Sequence, residues 1–190
     1  MIKGIFPTER FKGLQTPFYY YDMALLQDTI QVVKSELAKY GYHLYYALKA
    51  NTNPRILSVM ANNGFGADCV SGGEIQAALD AGFPPSEIVF AGVGKADWEI
   101  NLGLEHDIAC FNVESLAELE VIQELAKAKN KLASIAFRAN PNVDAHTHVK
   151  ITTGLPENKF GINLGQLPGI IDKALAMSHI RITGLHFHIG

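Results

Sequence analysis

Cysteine is scarce: the chain has two, Cys69 and Cys110, each inside an apolar run (Ala67-Asp68-Cys69-Val70 and Ile108-Ala109-Cys110-Phe111) and without C-x-x-C spacing. This argues against a disulfide or a thiolate zinc site and for buried free thiols. Long hydrophobic runs are missing as well. Met1–Gly13 carries scattered charges in place of an apolar signal core, and no stretch reaches membrane-spanning length, so a cytoplasmic protein with no membrane partner is expected. Positive charge is not in surplus: 16 Lys and Arg against 19 Asp and Glu leave a net charge of -3. No general basic surface follows, no long single-sign run suggests a tail, and no nucleic-acid partner is expected. Also absent are G-x-G-x-x-G after the first strand, H-E-x-x-H, and a complete phosphate loop. Gly92-Val93-Gly94-Lys95 lacks both the spacer and the Ser/Thr after the lysine that such a loop needs. What is present, 190 residues of which 48% are hydrophobic, suffices for one substantial core, in one domain or part of one.

The hydrophobic pattern alternates between strand and helix. Thr16–Asp22 reads as a short aromatic strand entered by a proline, with Asp22 as N-cap of a helix over Met23–Tyr40. Leu25, Leu26, Ile30, Val33 and Leu37 give that helix one apolar stripe, and Gly41 closes it. Tyr42–Leu48 is expected to be a strand buried on both faces, followed by a helix over Pro54–Asn63. Strands over Gly66–Val70, Ile88–Ala91, Ile108–Asn112, Leu132–Ala139 and Ile180–Ile189 then alternate with helices near 72–81, 96–104, 114–129 and 166–177. Asn140–Leu164 has little periodicity and reads as a long functional loop. Alternation at intervals of roughly 20 to 30 residues is the rhythm of a parallel sheet. It admits an open doubly wound sheet or a (β/α)8 barrel cut to about six units, and without a dinucleotide fingerprint the barrel is favoured. Such a cut leaves two apolar sheet edges to be covered.

The chemistry is expected around Tyr45-Tyr46-Ala47-Leu48-Lys49-Ala50-Asn51-Thr52-Asn53-Pro54. Lys49 stands at the carboxyl end of a strand, where parallel α/β folds bind ligands, and a desolvated lysine there can attack a carbonyl carbon to form a Schiff base. The bland alternative is a lysine that snorkels into water. Ser71-Gly72-Gly73-Glu74 starts a helix after a strand, so its amides suit an anion or simply a tight turn. Asp68 and Arg138 are charges in apolar strands and each needs a partner, either one another or a charged ligand. Asp144-Ala145-His146-Thr147-His148 and His186-Phe187-His188 contain H-x-H. In a strand His186 and His188 share a side, which keeps a metal-dependent barrel hydrolase as a rival.

Taken in order, these segments resemble the fold-type III pyridoxal-phosphate-dependent decarboxylases, and among them the branch acting on diaminopimelate. The resemblance runs from Thr16-Pro17-Phe18-Tyr19-Tyr20-Tyr21-Asp22 through Tyr46-Ala47-Leu48-Lys49-Ala50-Asn51, Gly66-Ala67-Asp68-Cys69-Val70-Ser71-Gly72-Gly73-Glu74 and Phe90-Ala91-Gly92-Val93-Gly94-Lys95. It continues with Phe111-Asn112-Val113-Glu114-Ser115, Asn140-Pro141-Asn142-Val143-Asp144, Lys159-Phe160-Gly161 and Gly184-Leu185-His186-Phe187-His188-Ile189-Gly190. It implies a pyridoxal 5'-phosphate-binding TIM-like barrel of the alanine racemase type, truncated to about six units with the C-terminal β domain absent. Residues 1–22 would hold a strand that joins that domain, and 23–190 the N-terminal part of the barrel. It further implies that Lys49 carries the cofactor as a Schiff base, that His188 stacks on its ring, and that Asp68, Glu74 and Arg138 line its site, with no metal. The implied reaction is decarboxylation of meso-2,6-diaminopimelate to L-lysine and carbon dioxide, the last step of lysine synthesis, in a homodimer with shared sites. Rival substrates are ornithine, arginine and carboxynorspermidine, and a non-catalytic carrier of the cofactor is a rival function. The family pattern continues past Gly190, so the chain is expected to be the N-terminal portion of a longer product.

Overall fold

The structure is a computed structural model that describes residues 4, 6–141 and 160–188. It has two compact units, Met1–Leu44 and Tyr45–Gly190. In the first, α1 (Thr8–Phe11) precedes α2 (Met23–Tyr40). Helix α2 begins where expected because the Asp22 carboxylate accepts the Leu25 N–H at 3.0 Å, satisfying one of the free amides of the first turn. It ends where Gly41 turns to φ 66°, a left-handed conformation that costs glycine nothing, and donates to Leu37 O. Leu25, Leu26, Ile30, Val33 and Leu37 are the helix residues withdrawn from solvent, Ile30 most completely. Thr16–Asp22, expected as a strand, is not part of any ladder among the described residues. Phe18 and Tyr20 instead set their rings edge-on to Phe11, at 5.3 and 5.0 Å between centroids.

The second unit is a parallel sheet with helices between its strands. The strands are β1 (Tyr45–Ala47), β2 (Gly66–Cys69), β3 (Ile88–Phe90), β4 (Cys110–Val113), β5 (Ala133–Asn140), β6 (Ile162–Asn163) and β7 (Ile180–His186). The connecting helices are α3 (Pro54–Asn62), α4 (Gly72–Asp80), α5 (Asp97–Glu105), α6 (Leu116–Ala128) and α7 (Leu167–Leu175). Strand order follows chain order from β1 to β5, and β7 then takes its place beside β5. A doubly wound sheet would reverse direction at a switch point; this order never reverses, which is the winding of a barrel wall. With right-handed crossovers the helices fall on one face, and α4 packs on α5 and α5 on α6 accordingly.

The core lies between that helical layer and the central strands. All four residues of β4 are buried, as are seven of the eight in β5, Arg138 being the exception. Phe83, Phe90, Phe111, Phe137, Leu119, Ile122 and Ile135 are sealed from solvent. Gly103 lets α5 press onto β4, since a Cβ there would sit 2.8 Å from Phe111 and 2.9 Å from Ile108. Burial fails at the sheet edges. Strand β1, expected to be covered on both faces, is exposed at Tyr45 and half-buried at Tyr46 and Ala47, because β2 is its only ladder neighbour among the described residues. Strand β7 is likewise largely exposed, with Leu185 63% accessible. Within the expected loop Asn140–Leu164, β6 pairs with the end of β5 (Ala139 beside Ile162), a two-residue strand too short to show a period; residues 142–159, with His146 and His148, lie outside the described residues.

One irregularity shapes the site. Between Ile135 and Ala136 the β5–β7 register slips by one residue, leaving Thr183 unpaired as a bulge whose hydroxyl donates to Ile135 O at 2.8 Å. Beyond it Arg138 stands beside His186; without it Arg138 would stand beside Leu185.

Candidate active site

Lys49 is placed by its neighbours. Strand β1 runs into a single 3-10 turn, Leu48–Ala50, closed by Asn51 N–H to Leu48 O at 3.0 Å. Fully buried Leu48 anchors this turn and leaves Lys49 exposed at the carboxyl end of the strand. The exit is equally determined: Asn51 accepts from Asn53 N–H (2.9 Å), Asn53 caps α3 by accepting from Arg55 N–H (3.0 Å), and Pro54 fills the first helical position.

The strand ends enclose a cavity of about 290 Å³, near the lower bound for small-molecule pockets. Lys49, Asp68, Arg138, Phe160, His186 and His188 line it, with the Ala91–Val93 loop after β3. Four of the five residues expected at the site therefore converge, from the ends of β1, β2, β5 and β7. The fifth, Glu74, stands one step back: its carboxylate accepts Val70 N–H at 2.8 Å while its own N–H goes to Ser71 Oγ at 3.2 Å, bracing the passage from β2 to α4. The turn is closed further by Glu99, which accepts Gly72 N–H at 2.7 Å, and by Trp98, whose ring lies 2.5 Å from where a Cβ on Gly72 would be. Protein groups thus occupy the Gly72 and Glu74 amides that the sequence offers to an anion, as in a tight structural turn.

Burial is the largest influence on the Asp68 carboxyl and raises its pKa; Lys49 opposes this most, Glu74 adds to it, and His188 and Arg138 oppose it. All five expected residues therefore share one electrostatic neighbourhood. Burial, then the Arg138 charge, lowers the pKa of both His186 and His188, so the neutral imidazoles are favoured. His186 Nδ1 is buried and has no hydrogen-bond partner among the described residues, an open polar valence beside the cavity.

Asp68 and Arg138 are not partners in an ion pair. They belong to strands separated by β3 and β4, three inter-strand spacings of about 4.8 Å along the sheet, so they meet only across the cavity. Arg138 instead donates from Nη1 to Glu114 Oε1 at 2.8 Å, with the two side chains 12% and 4% exposed. Ladder geometry explains the choice: Val113 pairs with Phe137, so the next residue of each strand brings Glu114 level with Arg138. The other Glu114 oxygen accepts Gly161 N–H at 3.2 Å, and the Phe160 ring centre lies 5.3 Å from the Arg138 guanidinium carbon. Glu114 and Phe160 are the site residues that sequence reasoning missed. A carboxylate immediately after Phe111-Asn112-Val113, at the carboxyl end of β4, was the available signal, obscured by its resemblance to an ordinary helix start.

Lys95 has a purely internal role. Its ammonium, on a side chain 1% exposed, donates to Gly92 O (2.7 Å), Asn112 O (2.8 Å) and Glu118 Oε1 (2.6 Å), tying the loop after β3 to the end of β4 and the start of α6. Cys69 and Cys110 are free, buried thiols whose pKa values burial raises, as suits inert core residues. No group of three or more potential metal ligands occurs among the described residues, and no described helix is long and apolar enough to cross a membrane.

Comparison with known proteins agrees with this geometry. Residues 23–190 match the family described as pyridoxal-dependent decarboxylase, pyridoxal binding domain. The chain is 62% identical over its whole length to diaminopimelate decarboxylase of Bacteroides thetaiotaomicron, covering 49% of that protein. It is 44% identical over 182 residues to the enzyme of Helicobacter pylori, covering 96% of this chain and 45% of the relative. Among solved structures, the Helicobacter pylori enzyme complexed with L-lysine superimposes with a TM-score of 0.88 at 43% identity, over 96% of this chain and 46% of that one. The diaminopimelate decarboxylase of M. jannaschii gives 0.84 at 38% identity, over 97% and 44%. The chain spans about half the length of the curated relatives it matches. It belongs to the pyridoxal-dependent decarboxylase family and carries, over residues 23–190, that family's pyridoxal-binding domain.

Proposed function

We propose that the protein decarboxylates meso-2,6-diaminopimelate to L-lysine and carbon dioxide, and that these 190 residues supply the cofactor-facing part of its active site. One observation carries the reading: an exposed strand-end amine, Lys49, converges with Asp68, Arg138, His186 and His188 on a single cavity. The relatives support it, since the similar proteins above are diaminopimelate decarboxylases and one is seen with L-lysine.

The residues present fit pyridoxal phosphate. The cofactor's aldehyde needs an amine, its ring a flat neighbour and its polar edge hydrogen-bonding groups; the cavity offers Lys49, the imidazole of His188, and Asp68 with Arg138, while His186 Nδ1 has an open valence. Lys49 would hold the aldehyde carbon, His188 would lie against the ring, and Asp68 and Arg138 would contact its edge, with Glu74 bracing the end of β2. When bound, the cofactor supplies an electron sink for the carbanion left as carbon dioxide departs. The chain's own groups orient the reacting centre, and Asp68, whose proton affinity burial increases, can hold a proton at the cavity wall. In this proposal the substrate-recognising groups and a β domain paired with residues 18–21 come from chain outside these 190 residues. Two copies complete each site, and the enzyme works in the cytoplasm.

Incubation of the full-length protein with pyridoxal phosphate, borohydride reduction and peptide mapping tests the reading. Label on Lys49 is expected, and label confined to another lysine overturns it. Steady-state assays on diaminopimelate, ornithine, arginine and carboxynorspermidine test the substrate; preference for one without a second amino-acid centre overturns that assignment.

A further inference from the structure

Glu114 is a costly residue to bury. Its side chain is 4% exposed, and a carboxylate taken from water must recover its lost hydration through partners. The carboxylate has two, both from distant parts of the chain, and the backbone N–H of the same residue makes a local third contact. Oε1 accepts from Arg138 Nη1 at 2.8 Å, Oε2 accepts Gly161 N–H at 3.2 Å, and its own N–H donates to Glu118 Oε2 at 2.9 Å. Through Glu118 it connects with Lys95, so a chain of contacts runs from the site's guanidinium to the buried Lys95 ammonium. Buried ion pairs are often replaceable by apolar pairs without loss of stability, so stability alone does not account for this one. Its placement does: one partner, Arg138, lines the cavity, and the other, Gly161, follows Phe160, whose ring lies by the same guanidinium. Gly161 itself has φ +83°, and a Cβ there would sit 2.9 Å from Arg138 O, so the two backbones are in close approach. An arginine side chain has several flexible bonds and five N–H donors. Held by Glu114 at one edge and lying over the Phe160 ring, it has further donors that no other described residue takes and that can meet an oxygen in the cavity.

We propose that Glu114 is a positioning residue: by gripping Arg138 and the Gly161 amide together it aims the guanidinium at an oxygen atom of the molecule bound in the cavity. The proposal rests on the reading of that cavity as a pyridoxal-phosphate site. The oxygen belongs either to the cofactor or to a substrate carboxylate, and binding measurements on each separate the two.

The test is a mutant cycle in the full-length protein, read by pyridoxal phosphate affinity from its absorbance and fluorescence titration, and by KM and kcat at saturating cofactor. Glu114→Gln keeps one acceptor and loses the charge. It is expected to weaken cofactor affinity, if the oxygen is the cofactor's, or to raise KM, if it is the substrate's, by roughly 10- to 100-fold, the range seen when groups that orient metal ligands are removed. Glu114→Asp, which keeps the charge, recovers part of the loss. If Glu114→Gln does not fold, Arg138→Met and the apolar pair Glu114→Met/Arg138→Met replace it. Action through Arg138 requires these two to bind cofactor and substrate equally. Unchanged affinity and KM in folded Glu114→Gln, or a further loss on removing Glu114 when Arg138 is already absent, overturns the proposal. Failure of the wild type to trap cofactor on Lys49 would sink the function reading itself; trapping with indifferent Glu114 variants sinks this proposal alone.

Discussion

Replacing Lys95 by Met should separate a structural lysine from a ligand-binding one. The substitution keeps most of the stem and removes the ammonium, which lies 5.3 Å from the Phe90 ring centre, breaking three hydrogen bonds of 2.6 to 2.8 Å in a side chain only 1% exposed. Removing one member of a buried ion pair costs about 3–5 kcal/mol, and the abandoned Gly92 and Asn112 carbonyls add roughly 1 kcal/mol each unless water reaches them. Glu118 limits the damage. Burial already raises its pKa, with Lys95 as the main opposing influence, so in the variant its pKa rises further and it takes up a proton more readily. A net loss of about 3 kcal/mol near neutral pH corresponds to a fall of roughly 6–12 °C in Tm for a domain of this size. The pH dependence has a definite sign. A carboxyl whose pKa is higher folded than unfolded favours the folded state as pH falls, so the gap between variant and wild type should narrow on acidification through the Glu118 pKa. Thermal denaturation of both proteins across this range provides the assay, with Lys95→Met/Glu118→Leu expected to regain part of the lost Tm. A Lys95→Met protein melting within about 2 °C of wild type at neutral pH would refute the buried-clip reasoning.

Asp68→Asn should raise Tm near neutral pH while weakening cofactor binding. Because burial raises the Asp68 pKa above its ordinary 3.8, the charged form is the costly one, and the advantage of the variant should fade as pH falls through the raised pKa. A pH-independent difference, or a variant less stable at neutral pH, would count against this. Gly161→Ala places a side chain at φ +83° and 2.9 Å from Arg138 O, so it should cost about 1–3 kcal/mol and loosen Phe160 from Arg138. A chemical denaturation midpoint equal to wild type would show that the backbone there yields freely.

Much of the molecule was legible locally. Helix α2 could be bounded from Asp22 and Gly41 because capping and left-handed turns depend on a few consecutive residues. Lys49 at a strand end followed from an apolar run meeting Asn-Thr-Asn-Pro, and the chain-order rhythm of strands and helices predicted a parallel sheet. The expected two-sided burial of β1 failed because apolar composition does not reveal whether a strand has one neighbour or two. The Asp68–Arg138 pair failed for a related reason: both residues show a buried charge in search of a partner, but only the sheet order puts two strands between them.

The sequence by itself determined the alternation of strands and helices and the ends of α2, which residues are apolar enough for a core, and which polar residues stand at strand ends, since these depend on contacts within a few residues. Tertiary structure alone decided the partners. The β4–β5 ladder set Glu114 level with Arg138, and the one-residue bulge at Thr183 put His186, and not Leu185, at Arg138's side. Register and bulge arise from hydrogen bonding between segments 24 to 48 residues apart, for which no local spacing carries a signature.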